Sequence, residues 1–191
     1  MTSTRSARPR TTLAVRSLTT ALLAAGLWLP AAPHAAAAPQ DAAAPTVDVT
    51  CPVGTATVSY SPGVTLDPKP TDLSFAGSAA PCTSTDPTIT AANSVTGTGS
   101  GRLGCVSGSF DATGTITWNT GATSQVRFAS VVDLRPSGIP VVVGNGPVTD
   151  GKFKGDAFTI TIELLPDNPF LCFSTGVTQT HGAAAVTVTH A

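Results

Sequence analysis

Nucleophilic catalysis needs a hydroxyl or thiol beside a base that a third group holds in place. The chain has three histidines, of which His34 falls in an N-terminal leader and only His181 and His190 remain as bases. His181 precedes Gly182, a pairing that suggests a turn, and His190 stands one residue from the C-terminus. No Gly-x-Ser-x-Gly elbow is present. The ordinary reading of both histidines is solvated surface, and a catalytic site would require His181 to meet a Ser and an Asp from distant parts of the chain. Work by two carboxylates would require them to converge in a cleft. Glu163 is the single Glu, and it alternates with Ile162 and Leu164, so it should point outward from a strand. Asp48, Asp67, Asp72, Asp86, Asp111, Asp133, Asp150, Asp156 and Asp167 are spread singly. Turn and capping chemistry accounts for them; calcium binding by two or three of them is the rival reading.

The stretch Gly99-Ser100-Gly101-Arg102-Leu103-Gly104 matches a nucleotide-binding fingerprint in spelling. Such glycines serve a pyrophosphate only where a helix begins, whereas Cys105-Val106-Ser107-Gly108 is strand-like. The expectation is therefore a flexible Gly/Ser/Thr lead into a strand, and no cofactor. Trp118 and Tyr60 are the candidate ligand-binding side chains, since an aromatic at a barrel mouth can stack on a flat ligand. Each shares the parity of the apolar residues of its own strand, which equally suits core packing.

Cys51, Cys82, Cys105 and Cys172 are the four cysteines. In an exported chain they imply two disulfides, and four cysteines allow three pairings. We expect Cys51 with Cys82, closing the Pro-rich N-terminal third, and Cys105 with Cys172, tying a middle strand to a late one. Each bridge would contribute roughly 3–5 kcal/mol in the chain-entropy account. With no Cys-x-x-Cys and no nearby His pair, metal ligation by these thiols is not expected.

Export itself is inferred from residues 1–37. Arg5, Arg8, Arg10 and Arg16 precede an apolar run from Leu18 to Leu29, which is too short to span about 30 Å of hydrocarbon, and Pro30 and Pro33 close it. Ala35 and Ala37 form an Ala-x-Ala cleavage pattern, placing the mature start near Ala38. No stable membrane anchor is expected. Loss of four of the ten basic residues, with all eleven acidic ones kept, takes the net charge from −1 to −5. The remaining cations, Lys69, Arg102, Arg127, Arg135, Lys152 and Lys154, are too few and scattered for nucleic acid or an anionic bilayer.

The elements that must carry these groups are strands. Thr and Val are plentiful, and apolar residues stand two apart in Val47-Val49-Cys51, Ala56-Val58-Tyr60, Ile116-Trp118, Val126-Phe128, Ile160-Ile162-Leu164 and Val186-Val188. Residues 38–45 form a flexible segment and 46–191 a single all-β domain. Asn119-Thr120-Gly121 and Asp150-Gly151 are turn sequences, so strands near 113–118, 123–134, 139–149 and 152–165 should pair antiparallel in order. From Pro62 to Pro87 the expectation is loop with one short strand at Leu73–Phe75, because Pro68 and Pro70 cannot donate to a ladder. The apolar run Ile139–Val143 suits a strand covered on both faces. Phe153 has the opposite parity to Phe158, Ile160, Ile162 and Leu164, so either a bulge near Gly155-Asp156 returns it to the core or it faces solvent. Phe170, Leu171 and Phe173 should cover the disulfide of Cys172. Eight to ten strands in a meander favour a closed β-barrel, with a β-sandwich as the alternative.

Val58-Ser59-Tyr60-Ser61-Pro62-Gly63, Thr115-Ile116-Thr117-Trp118-Asn119-Thr120-Gly121 and Gly151-Lys152-Phe153-Lys154-Gly155-Asp156 resemble a group of small secreted actinobacterial proteins of unknown function. Ala43-Ala44-Pro45-Thr46-Val47, the acidic charge and the four cysteines are similar to enediyne-carrying apoproteins of the neocarzinostatin kind, although cysteine spacing and length differ. These resemblances imply no catalytic residue. The leading expectation is a secreted, non-enzymatic β domain acting by surface contact in the envelope or medium. The alternatives are a small-ligand carrier with a barrel cavity and a secreted hydrolase with a Ser/His/Asp site.

Overall fold

The computed structural model describes residues 45–134 and 139–190. The expected leader and most of the 38–45 segment lie outside the described residues, as does Arg135. Ten strands follow one another: β1 (Thr46–Cys51), β2 (Gly54–Val64), β3 (Lys69–Ala79), β4 (Thr83–Ser84), β5 (Ala92–Leu103), β6 (Gly108–Trp118), β7 (Thr123–Leu134), β8 (Pro140–Gly151), β9 (Ala157–Pro166) and β10 (Val177–His190). A 3-10 turn, Pro169–Phe173, lies between the last two. No helix among the described residues is long and apolar enough to cross a membrane.

Eight of the strands close into an antiparallel barrel in the order β2-β3-β5-β6-β7-β8-β9-β10, with β10 returning to β2. The long β10 makes closure possible: its first half pairs with β2 and its second half with β1, to whose outer edge β4 adds. Barrel, and not sandwich, is therefore the architecture. Both expected disulfides are present, Cys51–Cys82 and Cys105–Cys172.

Period-two patterning sets which side chains fill the interior. Along β7, Ser124, Val126, Phe128, Ser130 and Val132 are buried and their neighbours exposed. On β9, Phe158, Ile160, Ile162 and Leu164 are buried and the residues between them half-buried. Three aromatic rings meet in the middle, Phe128 standing 5.9 Å from Phe75 and 5.4 Å from Phe158. Gly97 faces inward opposite them, and a Cβ there would collide with the Phe75 ring and the Thr113 carbonyl.

Several expectations change at this level. Two of the three glycines of the fingerprint-like stretch, Gly99 and Gly101, lie within β5 itself on its inward parity, instead of in a lead to a strand, and Gly104 follows its end. The segment expected to be loop supplies the end of β2 and the whole of β3, because Pro70 costs a single donor near a strand start while Leu73 and Phe75 bury on one face. Asp150-Gly151 ends β8, and residues 152–156 form the turn. Phe153 returns to the core through that turn and not through a bulge: its φ is +62°, that of Gly155 is +95°, and pairing resumes at Ala157. Along β8, Val141 and Val142 are both buried but Val143 is exposed, so double coverage is brief. His181 lies within β10, not in a turn. Glu163 does lie on the outer face, opposite Val141.

Candidate functional site

The two ends of the barrel differ in how they are finished. At one end the segment 80–91 folds across the opening and is held by Asn119, whose Oδ1 accepts from the amides of Thr90 (2.9 Å) and Ala91 (3.2 Å) while Nδ2 donates to the Thr88 carbonyl. Lys152 adds an ion pair to Asp86 at 2.7 Å, and this cation, helped by Thr88, lowers the Asp86 carboxyl to about 2. Beneath this cover Trp118 is 0% exposed. Its Nε1 donates to Ser124 Oγ at 2.9 Å, Ser124 donates onward to the Lys152 carbonyl at 2.6 Å, and the Phe153 ring meets the indole edge-on at 5.6 Å. Trp118 thus packs into the core of the sealed end and does not line the cavity at the opposite end.

Among the described residues the opposite end is the more open of the two. It carries the links 65–68, 104–107 and 167–176. The inward side chains there leave a cavity of about 50 Å³. Its wall includes Phe75, Phe128, Ile160 and Leu164, and its polar side chains among the described residues are Tyr60 and Thr180, which hydrogen-bond to each other at 3.1 Å. Burial pushes the Tyr60 hydroxyl pKa up, only partly offset by that bond. Tyr60, unlike Trp118, thus lines a space a ligand group could enter.

The rim is braced by three chain segments distant in sequence. Cys105 is bonded to Cys172, the Leu66 amide donates to the Cys172 carbonyl, and the Cys105 amide donates to the Thr65 carbonyl. Asn168 caps the 3-10 turn by accepting from the Phe170 amide. At about three residues per turn, residues i and i+3 eclipse. Phe170 and Phe173 accordingly share the outer side, 77% and 74% exposed, while Leu171 and Cys172 pack inward. The expectation that both phenylalanines cover the disulfide is corrected; only Leu171 packs inward beside it. Leu66, Leu134 and Leu165 are exposed near the same rim, and Val131 and Val143 on the wall just below it. Of the nine exposed large apolar side chains on described residues, only Val47 and Val53 lie toward the sealed end.

His181 has a hydroxyl and a carboxylate beside it. Thr57 Oγ1 lies 3.0 Å from its Nδ1 and Asp167 Oδ2 lies 3.7 Å from its Nε2. The hydroxyl is that of a Thr on the neighbouring strand, and none of the three described cavities is lined by Thr57, His181 or Asp167. The nearby amides are committed to the β2–β10 ladder. An oxyanion needs donors free of such ladders in a site closed to water. Asp48, Asp156 and His190 also converge, their potential ligand atoms within 4.8 Å of one another. His190 Nδ1 bonds Asp156 Oδ1 at 2.9 Å, and this bond, with the charges of Asp156 and Asp48, raises the imidazole pKa. The set works as a clasp between the end of β10 and the β8–β9 turn.

Set beside known proteins, the chain matches no family model and no curated protein.

Proposed function

We propose that this is a secreted, non-enzymatic binding domain that engages its partner through the open end of the barrel. The observation that carries the reading is the grouping of Phe170, Phe173, Leu66, Leu134 and Leu165 around a braced apolar mouth, opposite a sealed end. Large contiguous apolar exposure on a soluble protein marks an interaction surface. The N-terminal leader and the two disulfides support an oxidising, extracellular setting.

Cavity size favours surface contact over a carrier. An engineered apolar cavity of about 150 Å³ holds benzene, and ligand pockets run to about 300–1,000 Å³. A space of about 50 Å³ accepts a side-chain-sized apolar group presented by a partner, with Tyr60 and Thr180 as its single polar contact. The carrier reading is second, and it rests on the same lining.

The test compares the wild type with the double variant Phe170→Ser/Phe173→Ser, each immobilised and exposed to the organism's own envelope and medium fractions. Selective retention of a component by the wild type alone is expected. Identical retention by both would overturn the reading, as would hydrolysis of a generic ester, peptide or glycoside abolished by His181→Ala. A small molecule bound to natively purified protein in native mass spectrometry would move the assignment to a carrier.

A further inference from the structure

We propose a second site, independent of the open end: a shallow saccharide-binding depression on the outer wall across β3, β5, β6 and β7. Thr98, Ser100 and Thr113 form its floor, and the longer Asp72, Asp111 and Arg127 stand around it. Strand register places these groups. Asp72 pairs with Ser100 and Ser100 with Asp111; two residues along, Thr98 pairs with Thr113 and Thr113 with Arg127. The short β5 side chains between longer neighbours are what make a barrel wall, ordinarily convex, locally concave.

None of these six side chains hydrogen-bonds or ion-pairs with another described residue. Four other carboxylates meet a basic side chain: Asp86 with Lys152, Asp150 with Lys154, Asp156 with His190 and Asp167 with His181. Arg127 and Asp111 are diagonal neighbours on adjacent strands, since Asp111 pairs with Ala129. The depression thus presents acceptors, a guanidinium fork and three hydroxyls, all without a partner among the described residues.

The chemistry of that set selects among ligands. An anion would face two carboxylates against one cation. A compact metal ion needs its carboxylates together, whereas Asp72 and Asp111 sit two strand spacings, about 10 Å, apart at the backbone. A neutral polyhydroxylated ring satisfies the whole set, its hydroxyls donating to Asp72 and Asp111 and accepting from Arg127, with Thr98, Ser100 and Thr113 beneath. With no aromatic ring to stack on, single sugars should bind weakly, and chains that repeat the contact should bind better.

The experiment is an amide-resolved NMR titration of the protein with methyl β-D-glucopyranoside, methyl β-D-galactopyranoside and methyl α-D-mannopyranoside, then with an oligosaccharide of whichever sugar responds. Saturable shifts confined to amides of residues 72, 98–100, 111–113 and 127 are expected with at least one of them. Asp111→Asn and Arg127→Gln should each weaken binding about tenfold, the loss of one charge-assisted hydrogen bond. Both side chains are exposed, so thermal midpoints should not move, and Phe170→Ser/Phe173→Ser should leave sugar binding intact. Absence of saturable shifts with all three glycosides would overturn the proposal. So would unchanged affinity in both variants, or stronger shifts of the same amides with calcium chloride alone.

Discussion

Replacing Trp118 separates a core role from a ligand role with a measurable number. The indole is fully buried, and an aromatic side chain in that state removes about 150–250 Å² from water. At about 25 cal/mol per Å² this is about 4–6 kcal/mol as an upper limit, in line with the roughly 3–5 kcal/mol usual for Trp→Ala in a core. Trp118→Phe keeps most of the apolar contact but loses the Nε1–Ser124 bond, worth about 1 kcal/mol, and part of the edge contact with Phe153, worth about 0.5–1.5 kcal/mol. Ser124 keeps its bond to the Lys152 carbonyl, which limits the damage. The expectation is about 2 kcal/mol for Trp118→Phe and about 4–5 kcal/mol for Trp118→Ala. Urea unfolding followed by far-ultraviolet circular dichroism is the assay, because the substitution removes the one tryptophan among the described residues. With a slope of about 2 kcal/mol per molar urea, the midpoint should fall by about 1 M for Phe and about 2 M for Ala. Partner retention at the open end should survive in Trp118→Phe. A cost under about 0.5 kcal/mol for Trp118→Phe, or lost retention at wild-type stability, would refute the sealed-end argument.

Three further outcomes follow from single contacts. Ser130 is buried with its hydroxyl unpartnered among the described residues, so Ser130→Ala should stabilise by about 1 kcal/mol in the same urea assay. Gly97→Ala should destabilise by about 1–3 kcal/mol and lower the thermal midpoint, because the new methyl meets the Phe75 ring and a backbone carbonyl, neither of which can withdraw. The raised pKa of His190 means its clasp with Asp156 stabilises fully below about pH 6.5 and is lost as pH climbs through the higher folded value. The difference in thermal midpoint between wild type and His190→Gln should therefore shrink from pH 6 to pH 9; a difference that grows would contradict the clasp.

Local pattern was enough for fold class, the faces of most strands and the turn after β6. Alternation in Ile160-Ile162-Leu164 declares which side is buried wherever the strand ends up, because successive side chains on a strand point to opposite faces. The turn at Asn119-Thr120-Gly121 follows from backbone angles that few residues tolerate, and Gly121 indeed has φ +85°. Proline counting misled at β3, where a favourable buried face outweighed one missing donor. Parity arithmetic found that Phe153 must leave the strand pattern, but not that a turn with positive φ would do it.

What the sequence could not disclose is non-local. Closure depends on β10 meeting β2 and β1 across more than a hundred residues, and the hollow end exists only once that ring is complete. Tyr60 and Trp118 obey the same parity rule, yet one lines a cavity and the other lies under a sealed cover, because height along a barrel is set by strand stagger and by which links fold inward. The rim joins Thr65, Cys105 and Cys172, and the wall depression joins four strands by register. Neither leaves a mark in any short window of residues. Side-chain period is a property of the single strand; position along the barrel is a property of the assembled sheet.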